Sequence, residues 1–311
     1  MSFQPLFRRF DETIKLKRFD EHAELRDKRD CILKRLRDNL SITFEPFNQG
    51  SYEMGTGVKP LDADYDIDIG IIFDIDRHTH DPVTVKGWVY KALEKHTARV
   101  EWRRPCITVY YQQAGEAIYH VDLAILAKDS PAGPLYLAIG KEHSAKEQRE
   151  WQLDDRKGFM KAVENRFSGE DAAQFRRVIR YLKRWRDFHF SSEGRAAPTG
   201  LGITVAAYHW FRPVKTGPND YDDLGATASL VQSIHQSFRQ VWDSSLQRYI
   251  HRLSLQFPCA PQDDVFERMT NQQMQEFYQR LGKLSEWLNE ARRPGNVAPL
   301  RAAFGTDFPE K

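Results

Sequence analysis

The chain has 311 residues, enough for one large domain or two ordinary ones, and with 41% hydrophobic and 29% charged residues it can build a core and is not globally disordered. Forty-six basic residues against 44 acidic ones leave a net charge of +2, which argues against a general nucleic-acid binder and leaves room only for a local basic patch. The three cysteines, Cys31, Cys106 and Cys259, lack CxxC spacing and read as reduced cytosolic thiols; no apolar run approaches the roughly 18 residues of a membrane span, and MSFQPLFRRFDE at the N-terminus has no apolar h-region of a secretory signal.

Residues from about Phe10 to Leu40 read as one long charged helix. Ile14, Leu25, Ile32, Leu33 and Leu36 give it a patchy apolar stripe, and its balanced charges suit a helix packed along a domain better than one that binds nucleic acid. SITFEPF reads as a short strand leading to a glycine-containing turn, QGSY, at Gln49 to Tyr52. Tyr65 to Phe73 reads as a strand ending in the apolar run Ile69 to Phe73. A helix should follow, since Asp81 can cap it, Pro82 suits its first turn, and Val85, Trp88, Val89, Ala92 and Leu93 recur at helical spacing. CITVYYQ from Cys106 is a second strand and AIYHVDLAIL from Ala117 a third, with QAGE as the hairpin turn between them.

Beyond about Pro134 the pattern is mostly helical. AAQFRRVIRYLKRWRDF places Phe175, Val178, Ile179, Leu182 and Trp185 on one face, with its Lys and Arg residues read singly as solvated charges. SSEGRAAPTG is a loop, LGITVAAYHWF restarts an apolar helix, and NQQMQEFYQRLGKLSEWLNEARR turns Met274, Phe277, Tyr278, Leu281, Leu284 and Leu288 inward.

The chemistry gathers in DADYDID. Side chains alternate along a strand, so Asp64, Asp66 and Asp68 share one face and Tyr65, Ile67 and Ile69 the other. On the third strand Ile118, His120, Asp122 and Ala124 share a face, which makes Asp122 an isolated acid in a mainly apolar strand. A buried carboxylate needs a partner or a metal. If the two strands are neighbours, Asp66, Asp68 and Asp122 converge, and three such acids call for a cation; all-oxygen ligands favour Mg²⁺ or Mn²⁺. Taken alone, DxD fits equally an acidic loop with a buried Asp–Arg pair. Asp62, Asp64, Asp74 and Asp76 read as loop or rim acids, and His120 as a packed, hydrogen-bonded histidine. The upstream turn shifts the balance, because Gly50 lets backbone approach a phosphate and Ser51 adds a hydroxyl to an anion nest.

A Gly-Ser turn, an Asp-x-Asp strand and a third strand Asp resemble the DNA polymerase β-like nucleotidyltransferase superfamily. QGSYEMGT, DYDIDIGI, YHVDLAI, REWQLDDRKGFMKAV, RRVIRYLKRWRDF and FGTDFP together resemble the bacterial cGAS/DncV-like nucleotidyltransferases (CD-NTases) of CBASS anti-phage systems, from about Gln49 to Pro309. The resemblance implies an α+β fold. A mixed nucleotidyltransferase sheet with helices, residues 1–133 including the N-terminal helix, would pack against a mostly helical lobe, residues 134–311, with the active site in the cleft between them. It implies that Asp66, Asp68 and Asp122 hold Mg²⁺, which Mn²⁺ can replace. Gln49, Gly50 and Ser51 would hold the donor triphosphate, and Lys183 would reach a phosphate across the cleft. Thr199 stands where relatives often have serine near the donor nucleotide. Arg103 and Arg104 are further candidates for phosphate contact.

It also implies the activity: a cyclic di- or trinucleotide made from NTPs, ATP among them, with release of pyrophosphate. The product would serve a separate effector in the cytoplasm, with CBASS accessory proteins as candidate partners, and neither a membrane nor stable nucleic-acid binding is expected. A template-independent transferase acting on RNA or protein shares the same triad and is the alternative.

Overall fold

A computed structural model describes residues 3–16, 23–62, 64–111, 118–190, 197–218, 220–293 and 296–310. Its first part runs α1 (Gln4–Ile14), α2 (Ala23–Asn39), β1 (Glu45–Gln49), α3 (Gly50–Glu53), β2 (Asp64–Phe73), α4 (Pro82–Leu93), β3 (Arg99–Trp102), β4 (Ile107–Tyr111), β5 (Ile118–Lys128), β6 (Leu135–Ile139) and β7 (Glu150–Asp154). There follow α5 (Arg156–Glu164), α6 (Gly169–His189), α7 (Gly200–Trp210), β8 (Lys215–Gly217), β9 (Asp220–Tyr221), α8 (Asp223–Gln236), β10 (Arg239–Asp243), β11 (Arg248–Arg252), α9 (Asn271–Ala291) and α10 (Ala298–Phe304).

The first seven strands form one mixed sheet in the order β1-β2-β5-β4-β3, with β6 joined to β5 and β7 to β6. β2 and β5 are parallel and the other pairs antiparallel. Alternation along β2 sends Ile67, Ile69, Ile71 and Phe73 into a core shared with α2, α4 and the apolar faces of β4 and β5. The opposite face carries the acids. Gly70 sits in register with Phe47 of β1, and a Cβ there would come within 1.9 Å of the Phe47 ring, so only glycine lets the aromatic lie so close. Asp81 caps α4 as expected, accepting from the Thr84 amide at 2.9 Å.

A second core joins α1 to the helices that follow the sheet. This divides the helix expected over Phe10 to Leu40 in two. Phe7, Phe10 and Ile14 bury in the helical lobe, whereas Leu25, Ile32, Leu33 and Leu36 bury against the sheet, and one straight helix cannot serve both. After Ile14 the chain turns extended, and Lys15 bridges to Val58. The sheet also continues past Pro134, so the boundary expected at 133/134 falls inside it. LYLAI, EWQLD and RVEW are too short to show a clear period, and they became visible only as paired strands. The QAGE turn and residues 191–196 of the expected loop lie outside the described residues. Among the described residues, no helix is long and apolar enough to cross a membrane.

α6 runs through the middle of the helical lobe. Phe175, Val178, Ile179, Leu182 and Trp185 are buried as their spacing predicts, but so are Arg177, Arg180, Lys183 and Arg184, which corrects the reading of these cations as solvated. Each has a specific acceptor. Arg177 and Tyr181 bond Asp223, and Arg180 grips Asp11 of α1 through Nε at 2.7 Å and Nη2 at 2.8 Å. α6 also holds the stretch after α3: Arg180 donates to the Gly55 carbonyl, Lys183 to that of Thr56 at 3.1 Å, and Arg184 to that of Lys59 at 2.9 Å.

Removing one partner of a buried pair strands the other charge. Asp11→Ala should therefore cost about 3–5 kcal/mol, seen as a lower denaturant midpoint at unchanged slope. A loss below about 1 kcal/mol, typical of exposed pairs, would show that Arg180 does not depend on Asp11.

Candidate active site

The parallel pairing sets Asp66 opposite His120 and Asp68 opposite Asp122. With side chains on the same face, one carboxylate oxygen from each of Asp66, Asp68 and Asp122 lies within 4.8 Å of the others. Asp66 is exposed, and Asp68 and Asp122 are partly buried. Asp122 accepts from Thr108 Oγ1 at 2.5 Å, and Arg103 Nη1 stands 3.9 Å from its Oδ2. Burial, and then the charge of Asp122, push Asp68 up to about 6, against the pull of Arg156 and Lys183. Three crowded oxygen donors with one acid resisting ionisation fit a hard divalent cation, which would relieve the repulsion that raises Asp68.

A cavity of about 1000 Å³ opens beside the acids. Gln49, Gly50, Ser51, Asp66 and Asp68 line it from the sheet; Lys183, Arg186, Asp187 and Gly200 line it from the helical lobe. Gly50 has φ +76°, and a Cβ on it would fall 2.0 Å from Asp68 Oδ2, so the turn presses backbone directly against the acid. Gln49 is buried, and its Oε1 accepts no hydrogen bond from the described residues, which leaves an acceptor at the cavity wall for a ligand N–H or O–H. Lys183 Nζ reaches the same wall while donating to the Thr56 carbonyl and hydroxyl; burial first, then Arg186, pull it down to about 7.

Thr199, like Asp122, is not among the residues that line the cavity. It is the N-cap of α7, where its Oγ1 accepts from the Gly202 amide at 3.0 Å; Gly200, Leu201 and Thr204 of the same helix do line the cavity. Asp62 lines the rim, whereas Asp74 pairs with Lys128 away from the cavity. His120 packs edge-on against Tyr110 with centroids 4.7 Å apart. Sequence reasoning had no role for Arg156. It lies within DDRKG, is held at 3.0 Å by Asp154 of β7, and faces Asp68 across the cavity. The signal available was the Asp154–Arg156 spacing at the end of a strand, and that strand was itself not evident.

Residues 45–126, which carry the Gly-Ser turn and all three acids, match the family model described as cyclic GMP-AMP synthase DncV-like, nucleotidyltransferase domain. The chain carries a DncV-like nucleotidyltransferase domain. A cyclic GMP-AMP synthase from Escherichia albertii is 25% identical over 188 residues, 57% of this chain and 40% of that one, so the match spans less than half of that relative. The Bradyrhizobium diazoefficiens CD-NTase CdnG, in complex with GTP, shares the fold at TM-score 0.70 and 15% identity over 96% of this chain and 94% of its own. The Vibrio cholerae DncV cyclic AMP-GMP synthase does so at 0.70 and 16% over 99% and 97%, and Escherichia coli MS115-1 CdnC with ATP at 0.65 and 15% over 99% of both chains. The likeness thus extends beyond the DncV-like domain to the helical lobe that closes the cavity.

The raised Asp68 has a signed consequence. Its folded pKa lies above the ordinary 3.8, so the cation-free protein loses stability as pH rises from there through about 6. Asp68→Asn should raise the melting temperature of cation-free protein at neutral pH, by an amount that shrinks below about pH 6. In the unsubstituted protein, divalent-cation affinity should fall up to about tenfold per pH unit below that point, measured by calorimetric titration. PH-independent affinity between pH 5 and 7 would remove Asp68 from the ligand set.

Proposed function

We propose that this protein is a cyclic oligonucleotide synthase that joins NTPs into a cyclic di- or trinucleotide and releases pyrophosphate. The observation that carries the reading is the cluster of Asp66, Asp68 and Asp122 beside the Gly50–Ser51 turn, with Asp66 and Asp68 lining a cavity large enough for a nucleotide. The full-length likeness to CD-NTases bound to GTP and to ATP supports it.

In this reading Gly50 and Ser51 receive the donor triphosphate, with Lys183 approaching it from α6 and Arg156 from α5. The fall of Lys183 toward 7 comes from burial, and an incoming phosphate restores its charge. The Gln49 Oε1 accepts a hydroxyl or amino hydrogen of the bound nucleotide. A 2′- or 3′-hydroxyl oxygen of the acceptor forms a bond to the donor α-phosphorus as the bond to the pyrophosphate oxygen breaks. The hydroxyl proton passes to the Asp122 carboxylate, which Thr108 orients. Asp66, Asp68 and Asp122 would hold Mg²⁺, or Mn²⁺ in its place, which would supply neutralising charge and lower the pKa of the hydroxyl. A second transfer closes the ring. We infer that ATP is one substrate and that the product signals to a separate effector in anti-phage defence.

Purified protein incubated with pairs of labelled NTPs and Mg²⁺ or Mn²⁺ should yield a small phosphatase-resistant product, with a mass equal to the nucleoside monophosphates less one water per linkage. Asp66→Ala, Asp68→Ala and Asp122→Ala should each lower its formation more than about a hundredfold, since loss of even an outer partner of a metal site costs 10–100-fold. Ladders that lengthen only with added RNA, or labelling of a protein, would replace this reading with the RNA- or protein-directed alternative. Near-normal turnover in any one variant would remove that residue.

A further inference from the structure

The strand order places the Gly50–Ser51 turn beyond one side of the β2–β5 pair and the β3–β4 edge beyond the other. On that far edge stands a charged cluster the reaction above leaves unused. Glu101 accepts from Arg99 Nε at 2.9 Å and from the Tyr110 hydroxyl at 2.8 Å. Arg103 donates to the Tyr110 hydroxyl, lies 3.5 Å from Glu101 and reaches back to Asp122 at 3.9 Å.

Resting on the nucleotidyl-transfer reading, we propose that Arg103 is an exchangeable countercharge for the acid cluster and a positioning residue for the acceptor nucleotide. In the cation-free protein it offsets the charge of Asp122; once the acids hold a cation, it turns to the acceptor phosphates. Two observations and two physical arguments carry this. The contact to Asp122 is loose, at 3.9 Å against 2.7 and 2.8 Å for the locked Arg180–Asp11 pair, so little is lost when it opens. The Arg103 side chain is 42% exposed, and its other partners, Glu101 and Tyr110, keep the guanidinium at the site after Asp122 is released. A divalent cation on Asp122 repels a guanidinium beside it, and the planar fork of arginine suits phosphate oxygens. In-line displacement sets attacking and leaving oxygens on opposite sides of phosphorus, so with the donor phosphates at Gly50 and Ser51 the acceptor comes from the Arg103 side.

The test reads Mn²⁺ binding to nucleotide-free protein by electron paramagnetic resonance, which needs no turnover. Arg103→Gln keeps a hydrogen-bonding head but removes the competing charge, and should tighten Mn²⁺ binding about two- to fivefold, the range of a partly exposed ion pair. Glu101→Gln frees Arg103 to lean on Asp122 and should weaken binding by a similar factor. General damage to the site would weaken both. In turnover assays Arg103→Gln should raise the NTP KM more than it lowers kcat, with partial recovery in Arg103→Lys. Unchanged or weaker Mn²⁺ binding in Arg103→Gln, shifts of the same sign in both variants, or an unchanged KM would overturn the proposal. Unsubstituted protein that formed no nucleotide product would count against the transferase reading, while the Mn²⁺ titrations would still report on Arg103 and Asp122.

Discussion

The site depends on one constraint, the parallel register of β2 with β5 that sets Asp68 opposite Asp122. Side chains alternate every residue, so a slip of one position would turn Asp122 into the apolar layer and bring Val121 or Leu123 among the acids. The other face of the same strands prevents the slip. Ile67, Ile69, Ile71 and Phe73 on β2, with Val121, Leu123 and Ile125 on β5, bury together under α2 and α4. Apolar burial on one face therefore holds like charges together on the other, and Asp68 is raised first by its own burial and then by the charge of Asp122.

α6 couples this sheet to the helical lobe by a different interaction. Arg180, Lys183 and Arg184 are each buried, and each donates to a backbone carbonyl between Gly55 and Lys59, just after the turn that carries Gly50 and Ser51. Asp11 and Asp223 neutralise two of the α6 arginines from other helices. A buried cation with a charged or carbonyl acceptor tolerates little displacement. The helical lobe therefore sets where the Gly-Ser turn sits relative to the acids, and α1 takes part through Asp11 although it lies far from them in sequence.

The electrostatics of the cleft follow from these two features. Arg103 approaches the acids from the β3–β4 edge, Arg156 from the start of α5 and Lys183 from α6. Cations from three elements thus face acids from two strands across one cleft. An arriving cation and an arriving polyphosphate can each find a partner of opposite sign, and the two support each other's binding.

Local order determined what could be read from the sequence. Alternation along DYDIDIGIIF and YHVDLAIL placed Asp66, Asp68 and Asp122 on matching faces, and the Gly-Ser turn and the apolar faces of α4, α6 and α9 were legible from spacing alone. These signals reside within a few residues, where strand and helix periods act. What the tertiary structure decided involves partners far apart in the chain: the break between α1 and α2, because each buries in a different core; the strands β3, β6 and β7, too short to show a period; the burial of the α6 cations, whose acceptors lie more than 100 residues away for Arg180 and Lys183; the capping role of Thr199; and the place of Arg156 opposite Asp68. A charge on a helix reads as solvated until the chain that covers it is known, and only the packed fold supplies that chain.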